Sequence, residues 1–342
     1  MSHDTLITIW FGLWGLIWTV YFVLDAYALG TGIVFPFLAK NEKEQRQLQE
    51  AIGPFWGGNE VWLITAGGAT FAAFPVTYAL MFSYLYTPLM LILFALFFRA
   101  TGLEFMHKID NARWKSFWKW SFFTSSFAIA LLFGVMFANL FYGLEIDQAG
   151  YHGTLLSLLH PYGLLGGILF VSLFTLSGCV WIAVKTKGAI RTRALKWAQK
   201  VWFVSVPVLA IFMVATNNRT PLFEKFAQYS ALWLLPVLAL LFLLAVITFL
   251  RKGHSGLAFG GVSVSIVLVM ASGFAGMFPN MLPSRLEPAW SVTMFEAAGS
   301  QLNLSIMLGV ALVMVPIVIM YQLWLYRIFR EKISPDNAKG YH

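Results

Sequence analysis

The run LITIWFGLWGLIWTVYFVLDAYALGTGIVFPF, residues 6–37, holds 32 residues without a single lysine or arginine. Read as a helix, it exceeds the roughly 20 apolar residues that cross a hydrocarbon core of about 30 Å. Eight further apolar stretches follow, at approximately 60–79, 82–98, 117–140, 163–184, 201–215, 230–250, 257–278 and 304–326. Nine spans place the two termini on opposite sides of a bilayer. The basic residues give the orientation, because 20 of the 23 lie in alternate connections, from Lys40, Lys43 and Arg46 to Lys339 in the tail. The other connections hold only Arg219, Lys225 and Arg285. By the positive-inside rule the N-terminus is expected outside and the C-terminus in the cytoplasm.

Composition leads to the same class. A chain that is 59% hydrophobic and 11% charged has more apolar surface than one soluble core can hide, so lipid must solvate much of it. Its net charge of +8 sits in short membrane-flanking loops, which argues for contact with anionic headgroups and against nucleic acid. The first span lacks a basic leader and a small-residue cleavage site and is too long for a signal peptide, so it is expected to stay in the mature protein. The lone Cys179 excludes an internal disulfide. No phosphate-cradling loop, HExxH motif or cysteine cluster is present, which removes ATP-driven transport and metalloprotease chemistry from consideration. Segments 41–51 and 186–200 read as two polar helices lying at the inner surface.

The six histidines are terminal (His3, His342) or in loops (His107, His152, His160, His254), so none is placed to ligate a haem between helices. Met136 and Met270 read as apolar filling. No metal or haem ligand is therefore expected in this chain.

Charge inside the spans is rare and informative. Asp25 lies about 24 Å from Ile9 along the first span, in the inner third of the bilayer. An acid there is either a proton-relay carboxyl or a group hydrogen-bonded to a neighbouring helix. The stretch GPFWGGNEVWLI, residues 53–64, enters the second span: Pro54 and the glycines, Gly58 among them, form a turn, Asn59 is a helix N-cap, and Glu60 falls in the first turn. Asp25 and Glu60 share a depth at which two carboxyls could form a proton entry route. Arg99 ends the third span and either pairs with Glu60 or Glu104 or snorkels to headgroups. Trp56, Trp62, Trp114, Trp118, Trp120, Trp197 and Trp202 read as an inner aromatic belt.

The run GNEVWLITAGGATFAAFP (58–75), preceded by PFW and by LDAYALGTG (24–32), resembles subunit II of the cytochrome bd-type quinol oxidases. LFFRATGLEF (96–105), HPYGLLGG (160–167), GMFPNMLPS (276–284) and SQLNLSIM (300–307) extend the likeness over nearly the whole chain. The resemblance implies an all-α membrane fold of two four-helix bundles, at about 6–142 and 160–280, with a ninth helix at 303–328 and a cytoplasmic tail at 329–342. It implies a partner subunit I that carries haems b and d, quinol as the substrate of the complex, oxygen reduced to water, a proton gradient formed by charge separation, and a prokaryotic cell membrane. A small single-span accessory subunit and bound lipid or quinone are further partners it allows. Asp25 matches the family acid linked to a proton route, Arg99 matches a structural arginine, and Glu60 stands where members carry Glu or Gln. Some members have His before the tryptophan and an acid after it; Phe55 and Gly57 depart from that pattern. Pro54, Trp56, Gly58, Asn59, Trp62 and Arg99 are the expected structural or subunit-contact residues. The alternative reading is a proton-coupled small-solute permease using Asp25 and Glu60, which predicts polar groups from several spans at the midplane.

Overall fold

The computed structural model describes residues 1–334, so Lys339, His342 and the end of the expected tail lie outside the described residues. In chain order the helices are α1 (His3–Leu38), α2 (Glu42–Ile52), α3 (Trp56–Ala73), α4 (Pro75–Tyr84), α5 (Tyr86–Phe105), α6 (Ala112–Tyr142), α7 (Pro161–Lys185), α8 (Ala189–Arg219), α9 (Glu224–Gln228), α10 (Leu234–Arg251), α11 (Ser255–Met277), α12 (Met294–Ala297) and α13 (Gln301–Ile328). Among the described residues, eight helical stretches are long and apolar enough to cross a membrane: α1, α5, α6, α7, α8, residues 230–251, α11 and α13.

The expected second span is broken. α3 ends at Ala73, because Phe74 leaves helical geometry at φ −132°, ψ 66° and Pro75, which opens α4, has no N–H to continue the ladder. The carbonyls freed there are taken by the start of α13: Gly299 N–H donates to Ala73 O at 2.9 Å and the Asn303 amide to Ala72 O at 2.6 Å. With Asn59, Glu60 and four glycines, α3 is also too polar to count among the eight.

Two further boundaries differ from the sequence reading. The basic segment 186–200 is mostly the first part of α8, not a separate surface helix. Ile190, Ala194 and Ala198 repeat every four residues and are buried in register with Ser205, Leu209 and Phe212 farther along. α5 runs past the expected end at residue 98, so Arg99 lies inside a helix. The expected polar helix at 41–51 is present as α2, capped by Asn41 Oδ1, which accepts from Glu44 N–H.

α1 is the central element, packed by α3, α6, α7, α11 and α13. Trp10, Trp14, Trp18 and Phe22 line it at four-residue spacing, and Phe22 meets Phe137 and Phe170 edge-on at 4.8 and 5.1 Å. Its closest approach is to α7: a Cβ on Gly30 would collide with the Phe174 carbonyl, and one on Gly178 with the backbone of Gly30. α3 and α6 pack on one side of α1 with α5 against α6, and α7 connects α1 to α8 and α11, which together hold α10. α13 stands outside, with Leu304 its only buried residue. It is tied at one end by Trp10 Nε1–H donating to Leu304 O at 3.0 Å. At the other end, the Lys185 ammonium donates to the carbonyls of Phe329 and Glu331, and Lys187 N–H to Ile333 O.

Candidate functional site

Three helices deliver charge to one point. Arg99 of α5 donates Nη2–H to Asp25 Oδ1 at 2.7 Å and Nη1–H to Asp25 Oδ2 at 2.8 Å. The same Nη1 donates to Glu60 Oε1 of α3 at 2.8 Å. The Asp25 and Arg99 side chains are each 1% exposed, whereas Glu60 keeps 23%. Arg99 is thus a buried fork between two carboxyls and does not snorkel. Ion pairing and the bidentate hydrogen bonds to the carboxylates offset the cost of burying the guanidinium. Of the two partners considered from sequence, Glu60 is bonded to Arg99, and Asp25 takes the place of Glu104 as the second.

Asn59 is not the N-cap. α3 begins three residues earlier, at Trp56, so Asn59 lies one turn inside and is 2% exposed. Its amide donates to Leu24 O at 2.8 Å and to the Tyr27 hydroxyl at 3.0 Å, fixing α3 to α1 beside Asp25. Tyr27 Oη lies 2.7 Å from Tyr326 Oη, which extends the polar chain to α13. Tyr27 and Tyr326 were missed by the sequence reading; Tyr27 is two residues from Asp25, while nothing local marks Tyr326.

The other expected contacts separate into two groups. Phe55, which departs from the family pattern, is buried and stacks on Tyr326 at 4.6 Å with 12° between planes. Trp62 is 6% exposed and belongs to the core, not to an interfacial belt. Pro54 and Trp56 are half-buried around the α2–α3 turn, and Gly58 faces open space. α3 presents Gly57, Val61, Ile64, Thr65, Gly68 and Phe71 outward at helical spacing.

Among the described residues no three His, Cys, Asp or Glu side chains cluster as metal ligands. Three imidazoles are engaged outside the helix bundle's interior: His3 with Gly299 O at 3.0 Å, His160 with Asn139 Oδ1 at 3.0 Å, and the loop residue His152 with Asp147 at 2.8 Å. A haem between helices takes its axial ligand from inside a bundle, and these three imidazoles lie at the ends of one and are already engaged. No step is assigned to a haem of this chain.

The family model described as cytochrome bd terminal oxidase subunit II matches residues 6–329. The chain belongs to that family. Cytochrome bd ubiquinol oxidase subunit 2 of Bacillus subtilis (strain 168) is 34% identical over 340 residues, covering 99% of each chain. Cytochrome bd-I ubiquinol oxidase subunit 2 of Escherichia coli (strain K12) is 33% identical over 378 residues, covering 100% of each. A chain of the solved bd oxidase from Geobacillus thermodenitrificans has the same fold, with a TM-score of 0.78 over 95% of this chain and 98% of that one at 17% identity. As a bd oxidase subunit II, the chain is a multi-pass cell-membrane protein and one component of an oxidoreductase complex.

Proposed function

We propose that this chain is the haem-free scaffold of a complex that oxidises quinol, reduces oxygen to water and builds a proton gradient, and that its Asp25–Arg99–Glu60 cluster serves proton delivery to the partner. The observation that carries this reading is Glu60, a carboxyl held by a buried arginine yet open on the outward face of α3. A charged group left against lipid is costly, so this face calls for a covering protein. The small residues Gly57 and Gly68 let a neighbouring helix approach closely there. The covering chain is a subunit I bearing haems b and d, and a small single-span accessory subunit is compatible with the exposed α13.

The cluster carries a net charge of minus one with both carboxyls ionised and is neutral with one proton bound. Both Asp25 oxygens are occupied by Arg99, whereas Glu60 uses one. Glu60 is therefore the member of the cluster that exchanges a proton in this chain, and the Asp25–Arg99 pair positions it. The architecture divides into a first four-helix bundle over 6–142, a second over 160–280 and the peripheral α13, with the N-terminus outside and the C-terminus in the cytoplasm, in keeping with the loop charges. Family membership displaces the permease alternative.

The test is mild-detergent purification of the tagged chain, followed by a reduced-minus-oxidised spectrum and quinol-dependent oxygen uptake. A co-purifying subunit with b and d bands and active turnover is the expected result. A colourless chain, isolated alone under conditions that preserve a control bd oxidase, would overturn the assignment.

A further inference from the structure

We propose that the groove between α5 and α6, at the Lys/Arg-rich end of the molecule, is a binding site for one anionic glycerophospholipid, with its phosphate on Arg113 and an acyl chain along α6. The groove is an open trough of about 890 Å³ on the outer surface of the two helices. Its α5 wall is Ala95 and Phe98. Phe98 is roughly 100° around the helix from the buried Arg99, so the groove opens on a different flank from the carboxyl cluster.

The α6 wall is a single helical face. Arg113, Ser116, Phe117, Trp120, Thr124 and Ala128 recur at intervals of three and four residues. From Arg113 to Ala128 the face runs about 22 Å, enough for a chain that must cover the roughly 15 Å of one leaflet. The lower groove offers few free donors. Thr124 Oγ1–H donates to Trp120 O at 2.9 Å and Ser125 Oγ–H to Ser121 O at 2.7 Å, so these hydroxyls are satisfied within the helix. Phe98, Phe117 and Ala128 complete an apolar channel.

The head end is cationic, and one cation there is available. Lys115 is already bound to Glu42 and Asp110 at 2.6 and 2.5 Å. Arg113 is exposed and makes no ion pair among the described residues. Lys119 lies 5.8 Å from the centroid of the Trp120 ring that lines the groove, adding a second positive charge near the mouth. Arg113 can take a phosphate with its planar fork, and Ser116, one turn deeper, stands where a glycerol ester would lie. Charge above and an apolar trough below select an anionic lipid over a neutral one.

The experiment uses the intact membrane complex, stripped by prolonged detergent washing and then reconstituted in nanodiscs of phosphatidylcholine containing a minority of phosphatidylglycerol. Lipid retained after re-extraction is counted by mass spectrometry. The wild-type complex is expected to enrich phosphatidylglycerol, and Arg113→Gln to lower that enrichment about fivefold, the effect of one cation near a membrane surface. Arg113→Lys should keep most of the enrichment, whereas Thr124→Trp, which fills the trough, should lose bound lipid of either headgroup with an unchanged unfolding midpoint. Equal retention of the two lipids by the wild type, or undiminished phosphatidylglycerol on Arg113→Gln, would overturn the site. The readout is lipid, not turnover, so either outcome is independent of the proton-delivery reading.

Discussion

Arg99 grips Asp25 through two hydrogen bonds of 2.7 and 2.8 Å, although the two residues stand 74 positions apart on different helices and each side chain is 1% exposed. Replacing Arg99 by Met leaves two carboxyls on the far side of a broken pair. The loss of one partner from a buried ion pair costs about 3–5 kcal/mol, so Arg99→Met should fail to accumulate as assembled complex. Arg99→Lys keeps the charge but not the fork, and is expected to assemble with a lowered unfolding midpoint. The check is the yield and thermal midpoint of the purified complex; wild-type values for Arg99→Met would show that the pair does not hold α1 to α5.

Glu60 and Asp25 should separate in their effects. Glu60→Gln preserves shape and a hydrogen bond to Arg99 while removing the proton-exchanging group. Quinol-dependent oxygen uptake is expected to fall by on the order of a hundredfold, the low end of what a positioned acid–base group contributes, with little change in the unfolding midpoint. Asp25→Asn should lower both, because it also breaks the Arg99 fork. Full turnover by Glu60→Gln, the residue other family members carry there, would take Glu60 out of the proton route and leave Asp25 as its carboxyl.

The α1–α7 crossing makes a separate prediction about packing. Gly30 and Gly178 meet backbone to backbone, with no room for a Cβ on either. Gly30→Val must push the helices apart and displace the Tyr27–Trp181 contact, whose ring centroids are 4.3 Å apart. Overpacking of this kind costs about 1–3 kcal/mol or more, read as a fall in the thermal midpoint. Gly58→Ala, by contrast, has open space in this chain. It should leave the isolated chain unchanged and alter only association with the partner, measured by co-purification.

How far the sequence disclosed these features follows from their range. Span positions were legible because apolar length and loop charge are one-dimensional signals, and α1, α6, α7, α11 and α13 lie close to the stretches read from them. Asp25 stood out because a lone acid in an apolar run is conspicuous. Pro75 is a residue that kinks or ends a helix by its own chemistry, and here it ends one; only the Asn303 and Gly299 bonds show how the ending is satisfied. Asn59 was misplaced by one turn because the glycines that suggest a turn, Gly57 and Gly58, are inside the helix. Arg99 looked like a helix-end cation because hydropathy fades at residue 98. Its partners come from α1 and α3, and pairing across helices leaves no trace in local spacing.

The contact between α2 and α8 supplies a pH dependence outside the membrane-spanning segments. Burial acts to raise the Glu44 carboxyl, but hydrogen bonds from Arg193 and the Lys40 backbone N–H outweigh it and hold its pKa below the ordinary value. Glu44 Oε1 lies 2.6 Å from Arg193 Nη2, and Oε2 accepts from Lys40 N–H at 2.7 Å. A group whose folded pKa is depressed stabilises above its unfolded pKa, about 4.3 for glutamate, and that contribution is lost as pH falls through the folded pKa. α2 should therefore remain docked at neutral pH and loosen as pH drops below about 4.3. Arg193 also donates Nε–H to Leu38 O at 3.1 Å, so the loosening should include the end of α1. Hydrogen exchange of residues 42–52 between neutral pH and pH 3, corrected for intrinsic rates, is the measurement. Glu44→Gln should exchange faster at neutral pH, by the loss of about 1 kcal/mol for a solvent-screened ion pair, and show a weaker acid dependence than the wild type. An identical pH profile in the two proteins would mean that Glu44 does not hold α2 in place.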